Sequence, residues 1–272
     1  MNYEAIPLAE TITVQDRPIS ISTPPAGLRV LESCGLLTAS EVEGTVLFRA
    51  KGSLFETRAT KTPGGDFLLM FPTDTADHDP TEGHCHYGRA SKKVNDLVAL
   101  RSSDGGNTWS DPDIAFDINY NQHGFIPLIP RGGKRLYAFG TQPIWGRYFR
   151  ERGLHENAPI GYRWSDDDGR SWSEVHLISP GNDPDFTGMS VMRMCETEAG
   201  TWLLGSHEAD RSYRPLITRQ YVLRSEDQGE SWSLLPEPRH GGWFANCFGR
   251  MDEGRPIDLG GGEILLMART PE

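Results

Sequence analysis

Arg58, Arg89, Glu253 and Arg269 have the side-chain types needed to do chemistry on an anion. Two or more guanidiniums converging with a carboxylate make a site for a carboxylate-bearing ligand, because each guanidinium offers a planar fork of donors that a carboxylate can meet with both oxygens. Taken singly, each such Arg is as readily an ordinary surface ion pair, so what matters is whether the fold brings the four together. A second set is made of imidazoles. His78, His84 and His86 fall in one stretch and His123 follows; they offer acid/base chemistry or metal ligation, although no cysteine or carboxylate spacing accompanies them. The most conspicuous acids lie elsewhere, in a motif that occurs three times: Ser102-Ser103-Asp104-Gly105-Gly106-Asn107-Thr108-Trp109, Ser165-Asp166-Asp167-Asp168-Gly169-Arg170-Ser171-Trp172 and Ser225-Glu226-Asp227-Gln228-Gly229-Glu230-Ser231-Trp232. The shared pattern is Ser-x-Asp-x-Gly-x-(Ser/Thr)-Trp. In such a box the Asp accepts backbone N–H groups inside a turn, the Gly takes a positive φ and the Trp packs into an apolar layer. Asp104, Asp167 and Asp227 are therefore expected to be turn staples and not catalytic acids.

The elements that position these residues follow from the period of the boxes, which start at 102, 165 and 225, intervals of 63 and 60 residues. A fixed period of this length marks a repeat architecture. A fainter repeat runs alongside. Thr62-Pro63-Gly64-Gly65-Asp66 precedes an apolar run from Phe67 to Phe71, and Pro130-Arg131-Gly132-Gly133-Lys134 precedes Leu136 to Phe139. Glu198-Ala199-Gly200 precedes Trp202 to Leu204, and Gly260-Gly261-Gly262 precedes Ile264 to Met267. Each is a hairpin turn feeding a buried strand. The unit reads as strand, Gly turn, apolar strand, loop, strand, box turn, strand: four antiparallel strands, one blade of a β-propeller. A generic all-β sandwich is the alternative. Residues 51–272 carry three such units and half of a fourth. Residues 1–50 have no box; one reading makes them an edge strand that closes the last blade, and the sequence leaves this open. Three and a half blades do not close a ring, so the chain is expected to be an incomplete fragment of about four blades from a longer propeller, or else a half-propeller that pairs with another chain.

Strand parity then sorts the loops. The Gly turns and boxes are short, uniform and on one face. The connections on the opposite face are long and irregular, and function belongs with variable loops on a regular scaffold. Arg58, Arg89, Glu253 and Arg269 all fall at that second face, as do the histidines and the loop aromatics Trp145, Tyr148, Phe149 and Trp243, on which a sugar ring can stack.

Composition excludes several classes of function. The 272 residues are 37% hydrophobic and 24% charged, enough for a sizeable core, and 30 Gly with 19 Pro point to many turns. A net charge of −11 without a basic run argues against nucleic acid and anionic membranes as partners. No apolar stretch is long enough to span a bilayer, and the start of the chain has no signal-peptide pattern. Cys34, Cys85, Cys195 and Cys247 lie far apart and read as free thiols in a reducing, cytoplasmic compartment.

Three stretches beyond the boxes give the chain a specific likeness. Phe55-Glu56-Thr57-Arg58-Ala59-Thr60, Gly88-Arg89-Ala90-Ser91-Lys92-Lys93 leading into Asp96-Leu97-Val98-Ala99-Leu100-Arg101, and Asp252-Glu253-Gly254-Arg255-Pro256 followed by Gly261 to Arg269 resemble the sialidase (neuraminidase) superfamily of Asp-box, six-bladed propeller glycoside hydrolases. The resemblance covers about residues 50 to 272. It implies an exo-acting hydrolase for a terminal sialic acid or related acidic sugar. Arg58, Arg89 and Arg269 would bind the sugar carboxylate, Glu253 would make a Tyr nucleophile basic, and Asp96 would protonate the leaving oxygen. The chain departs from the family where Ala59-Thr60 stands for Ile-Pro and where Val94 follows Ser91-Lys92-Lys93; Asp74, Asp77, Asp79 and Glu82 are rivals to Asp96. The family's third clamp Arg and its Tyr have no counterpart before Glu272, so the fragment itself is expected to be inactive. No cofactor and no metal site is implied, although some family members bind calcium. Two other readings stay open: a propeller lyase or rhamnosidase working through the loop histidines, and a non-catalytic carbohydrate-binding propeller.

Overall fold

The computed structural model describes residues 11–14, 17–20, 57–73, 95–118, 126–141, 157–189, 191–210, 217–244 and 251–270. The chain divides into two compact units, residues 1–49 and 50–272. In the first, β1 (Thr11–Val14) and β2 (Arg17–Ser20) form an antiparallel hairpin.

The second unit is all-β, with no α-helix among the described residues and therefore no helix long and apolar enough to cross a membrane. Its first sheet holds β3 (Arg58–Lys61), β4 (Phe67–Thr73), β5 (Asn95–Ser102) and β6 (Asp113–Ile118), hydrogen-bonded in chain order. The second holds β7 (Ile126–Leu128), β8 (Leu136–Thr141), β9 (Ile160–Ser165) and β10 (His176–Leu177). The third holds β11 (Met194–Glu196), β12 (Trp202–Asp210), β13 (Ile217–Ser225) and β14 (Ser233–Leu235). A final pair, β15 (Asp252–Gly260) and β16 (Glu263–Arg269), is the inner half of a fourth such sheet. These are three complete up-and-down propeller blades and a two-stranded fourth unit, an open arc and not a closed ring.

The local reasons match the repeat. Thr62 N–H donates to Asp66 O at 2.7 Å and Gly65, at φ 98°, turns the chain from β3 into β4. The second strands of the complete blades are apolar and largely buried: Leu68, Met70 and Phe71 in β4 and Trp202, Leu203 and Leu204 in β12 are all buried. The cores accordingly lie between blades. Leu68, Met70, Leu97 and Phe116 of the first blade pack with Leu136 and Ala138 of the second. Phe139, Ile160 and Ile178 of the second pack with Trp202, Leu223, Trp232 and Leu234 of the third. Thr60, Leu128, Arg193, Cys195, Glu196 and Asp258, on or beside β3, β7, β11 and β15, line one cavity of about 460 Å³. The first strands of all four units thus face a common axis.

The boxes have one geometry three times over. Asp104 Oδ1 accepts from the Ser102 hydroxyl (2.8 Å) and the Thr108 N–H (2.9 Å), and its Oδ2 from the Thr108 hydroxyl (2.6 Å). Asp167 and Asp227 repeat these bonds with Ser165 and Ser171, and with Ser225 and Ser231. Each box Trp donates its indole N–H to the box Gly carbonyl at 3.0–3.1 Å. Trp172 meets Phe116 of the preceding blade edge-on at 5.3 Å. Asp168 Oδ1 accepts the Gly64 N–H at 2.9 Å, which ties the second box to the Gly turn of the first blade and places both kinds of turn on one face. These acids are structural.

Candidate functional site

On the opposite face, β12 ends, β13 begins, β15 begins and β16 ends. β15 packs against β11, β12 and β13. Glu253 and Arg269 meet there: Glu253 Oε1 lies 3.2 Å from Arg269 Nη2. Asp252 Oδ2 lies 3.4 Å from the same nitrogen. Asp252 is buried and Glu253 nearly so, with 5% and 13% of their side chains exposed, while 61% of Arg269 is exposed. A cation open to solvent thus caps two acids that would be costly to bury without it.

Glu253 is the second residue of β15 and Arg269 is the last residue of β16. The strands also reach into the connection between them: His207 to Asp210 belong to β12 and Ile217 to Gln220 to β13, because hydrogen bonding along these strands continues well past their apolar cores.

Glu253 is also conformationally special. Its φ is 58°, and the other described non-glycine residues at positive φ are Asp168 and Gln228, which hold one equivalent position in two boxes. The β15–β16 register jumps from Asp252↔Arg269 to Arg255↔Met267, so Glu253 and Gly254 form a bulge outside the ladder. Bulges re-aim side chains beside functional sites, and a left-handed non-glycine residue persists only where its surroundings impose it. Those surroundings are close. A Cβ on Gly205 of β12 would stand 2.0 Å from the Gly254 carbonyl oxygen. Thr218 of β13 accepts the Met251 N–H at 2.7 Å and donates its hydroxyl to Met251 O at 2.9 Å. Gln220 donates its side-chain amide to the same carbonyl. The structure adds two residues to the sequence-derived set, Asp252 and His207. His207 is buried, its Nδ1 accepts the Glu253 N–H at 3.1 Å, and its Nε2 lies 3.8 Å from Asp252 Oδ1.

The other expected residues are more dispersed. Arg58 opens β3 on the first blade and donates to the Thr57 carbonyl at 3.3 Å. Asp96 is the second residue of β5, paired in register with Thr73 and Asp117. Arg89 lies outside the described residues, as do Asp74, Asp77, Asp79, Glu82, His78, His84, His86, His123, Trp145, Tyr148 and Phe149. Trp243 is 43% exposed; it lines an apolar groove between the third blade and β15–β16 with Leu235 and Ile264, and neither Glu253 nor Arg269 borders that groove. Among the described residues no group of three or more His, Cys, Asp or Glu is placed to hold a metal ion.

Solved sialidases are among the structures that share this β-propeller fold. No family model and no curated protein matches the chain. Among solved structures, it is similar to a Dyadobacter fermentans protein of unknown function (17% identity, TM-score 0.59, 80% of this chain and 62% of that one). It is similar to a Hadza microbial sialidase (19% identity, TM-score 0.54, 80% of this chain and 42% of that one). It is also similar to the NanB sialidase from Streptococcus pneumoniae (14% identity, TM-score 0.50, 83% of this chain and 50% of that one). The chain therefore spans between two fifths and two thirds of the length of these structures.

Proposed function

We propose that these blades belong to an exo-acting glycoside hydrolase that cleaves a terminal sialic acid or related acidic sugar. The observation that supports this most directly is the ion pair between Arg269, at the end of β16, and Glu253, on a bulge at the loop end of an inner propeller strand. In this reading Arg269, with Arg58 and Arg89, binds the sugar carboxylate through guanidinium forks. Glu253 accepts a proton from the nucleophile and stabilises the positive charge that develops on the sugar ring, and Asp96 donates a proton to the leaving oxygen. Asp252 keeps Arg269 oriented from beneath.

The test is turnover of a fluorogenic sialoside by the whole protein. Arg269→Ala, Glu253→Ala and Arg58→Ala are each expected to lower kcat/KM by roughly 100-fold or more, the scale of losing one preorganised charge at the reacting centre. Unchanged turnover in all three variants would exclude the reading.

A further inference from the structure

We propose that His207 is a positioning residue for Glu253: its imidazole accepts the amide of the bulge and so fixes the direction in which the Glu253 carboxylate leaves the strand. The proposal rests on the reading of Glu253 as the group that activates the nucleophile.

The geometry carries it as follows. Glu253 sits where the β15–β16 ladder is interrupted, so its N–H has left the strand pairing. A buried amide needs another acceptor, and His207 Nδ1 supplies one at 3.1 Å. His207 and Gly205 are two residues apart on β12 and share its face toward β15. Gly205 lets the bulge approach, and His207 reaches over it. The imidazole is itself held. Its backbone exchanges hydrogen bonds with Met189, N–H to O at 3.3 Å and O to N–H at 2.6 Å, and it pairs with Gln220 across β13. An imidazole that accepts at Nδ1 is neutral and carries its proton on Nε2. That proton faces the Asp252 carboxylate, at 3.8 Å from Nε2 to Oδ1. One ring therefore contacts both residues that pair with Arg269, and it does so at the backbone of Glu253, which sets the side-chain direction, and not at the Glu253 carboxylate, which stays available to Arg269 and to a substrate.

Three substitutions separate this role from simple packing. In His207→Asn the side-chain oxygen stands where Nδ1 stood and can accept the Glu253 amide. In His207→Gln the polar group moves out to the place of Nε2. His207→Leu has neither. Nitrogen-15 NMR of the unsubstituted chain at neutral pH is expected to show the Nε2–H tautomer of His207. Amide exchange at Glu253 is expected to stay within about threefold of that protein in the Asn variant and to accelerate roughly 100-fold in the Gln and Leu variants, with Leu223 and Leu234 unchanged. In the whole protein, kcat for a sialoside is expected to be retained by the Asn variant and to fall roughly 10- to 100-fold in the other two, with KM little changed. An Nδ1–H tautomer, preservation by Gln in place of Asn, or equal kcat in all three variants would overturn the proposal. Absence of turnover in the unsubstituted protein would defeat the sialidase reading instead, and the tautomer and the Glu253 exchange rate would then decide the positioning by themselves.

Discussion

Glu253 combines two properties that seldom meet in one residue, a left-handed backbone and a nearly buried carboxylate. The backbone strain costs about 1–3 kcal/mol and is absent in glycine. Glu253→Gly is therefore expected to leave stability within about 1 kcal/mol of the parent, as strain relief offsets the lost Arg269 pair, while abolishing sialoside turnover in the whole protein; thermal unfolding and an activity assay of the whole protein together check it. The box acids behave in the opposite way. Hydrogen bonds from the Thr108 and Ser231 side chains hold the Asp104 and Asp227 carboxyls down to about 2; at Asp167 desolvation pushes upward, and the bonds from Ser171, Ser165 and the Arg170 amide together outweigh it, again to about 2. Their folded values lie below the unfolded Asp value of about 3.9. Their contribution is thus fully present above about pH 4 and is lost as pH falls toward 2. Asp167→Ala is expected to cost about 1–2 kcal/mol at neutral pH and to flatten the acid limb of a plot of stability against pH, with no effect on the loop-face chemistry.

The strands and turns decide where these residues stand. Gly205 is the tightest joint between the third blade and the fourth unit. A methyl group there would meet the Gly254 carbonyl oxygen at 2.0 Å and its carbon at 2.8 Å, and neither backbone atom can rotate away. Gly205→Ala is expected to destabilise the chain by about 2 kcal/mol or more and to push β15 and Glu253 out of place, so that in the whole protein activity falls further than in a surface variant of equal stability; denaturant melts with parallel kinetics of the whole protein would show it. The turns on the other face are more uniform because their job is repetitive. In each box two successive positions take positive φ, Gly105 with Gly106, Asp168 with Gly169 and Gln228 with Gly229, and each turn is closed by the same Ser and Asp bonds. The Gly-turn repeat and the boxes were fully readable because each is a local pattern with local hydrogen bonds.

At the level of the fold, inter-blade packing makes the arc and leaves one end uncovered. Among the described residues β16 pairs with β15 alone, and Ile264, Leu265 and Met267 are 40%, 44% and 55% exposed along it. An open apolar strand edge recruits other strands. Met267→Lys is expected to reduce self-association of this chain without lowering its melting temperature, as read by light scattering against concentration. The solved structures similar to this chain agree with the propeller at identities of 14–19%, which carries the fold and leaves the activity to be tested by the loop-face residues.

Much of this molecule could be read before any coordinates. The period of the boxes counted the blades, the Gly turns marked the second strands, and parity separated a structural face from a face of loops, all because backbone turns and strand alternation are dictated by residues close together in the chain. The same parity put Glu253 and Arg269 at one end of a hairpin. What the sequence did not reveal is the interior of that end. Nothing local gives Asp252 a role beside Arg269 or sets His207 apart from its neighbours in the chain. Their roles come from β12 and β15, 46 residues apart at His207 and Glu253, crossing at Gly205 and Gly254. The left-handed bulge at Glu253 likewise has no local signature, since a Glu in a strand predicts an ordinary φ. Contacts between blades impose it, and such contacts are fixed only when the sheets pack.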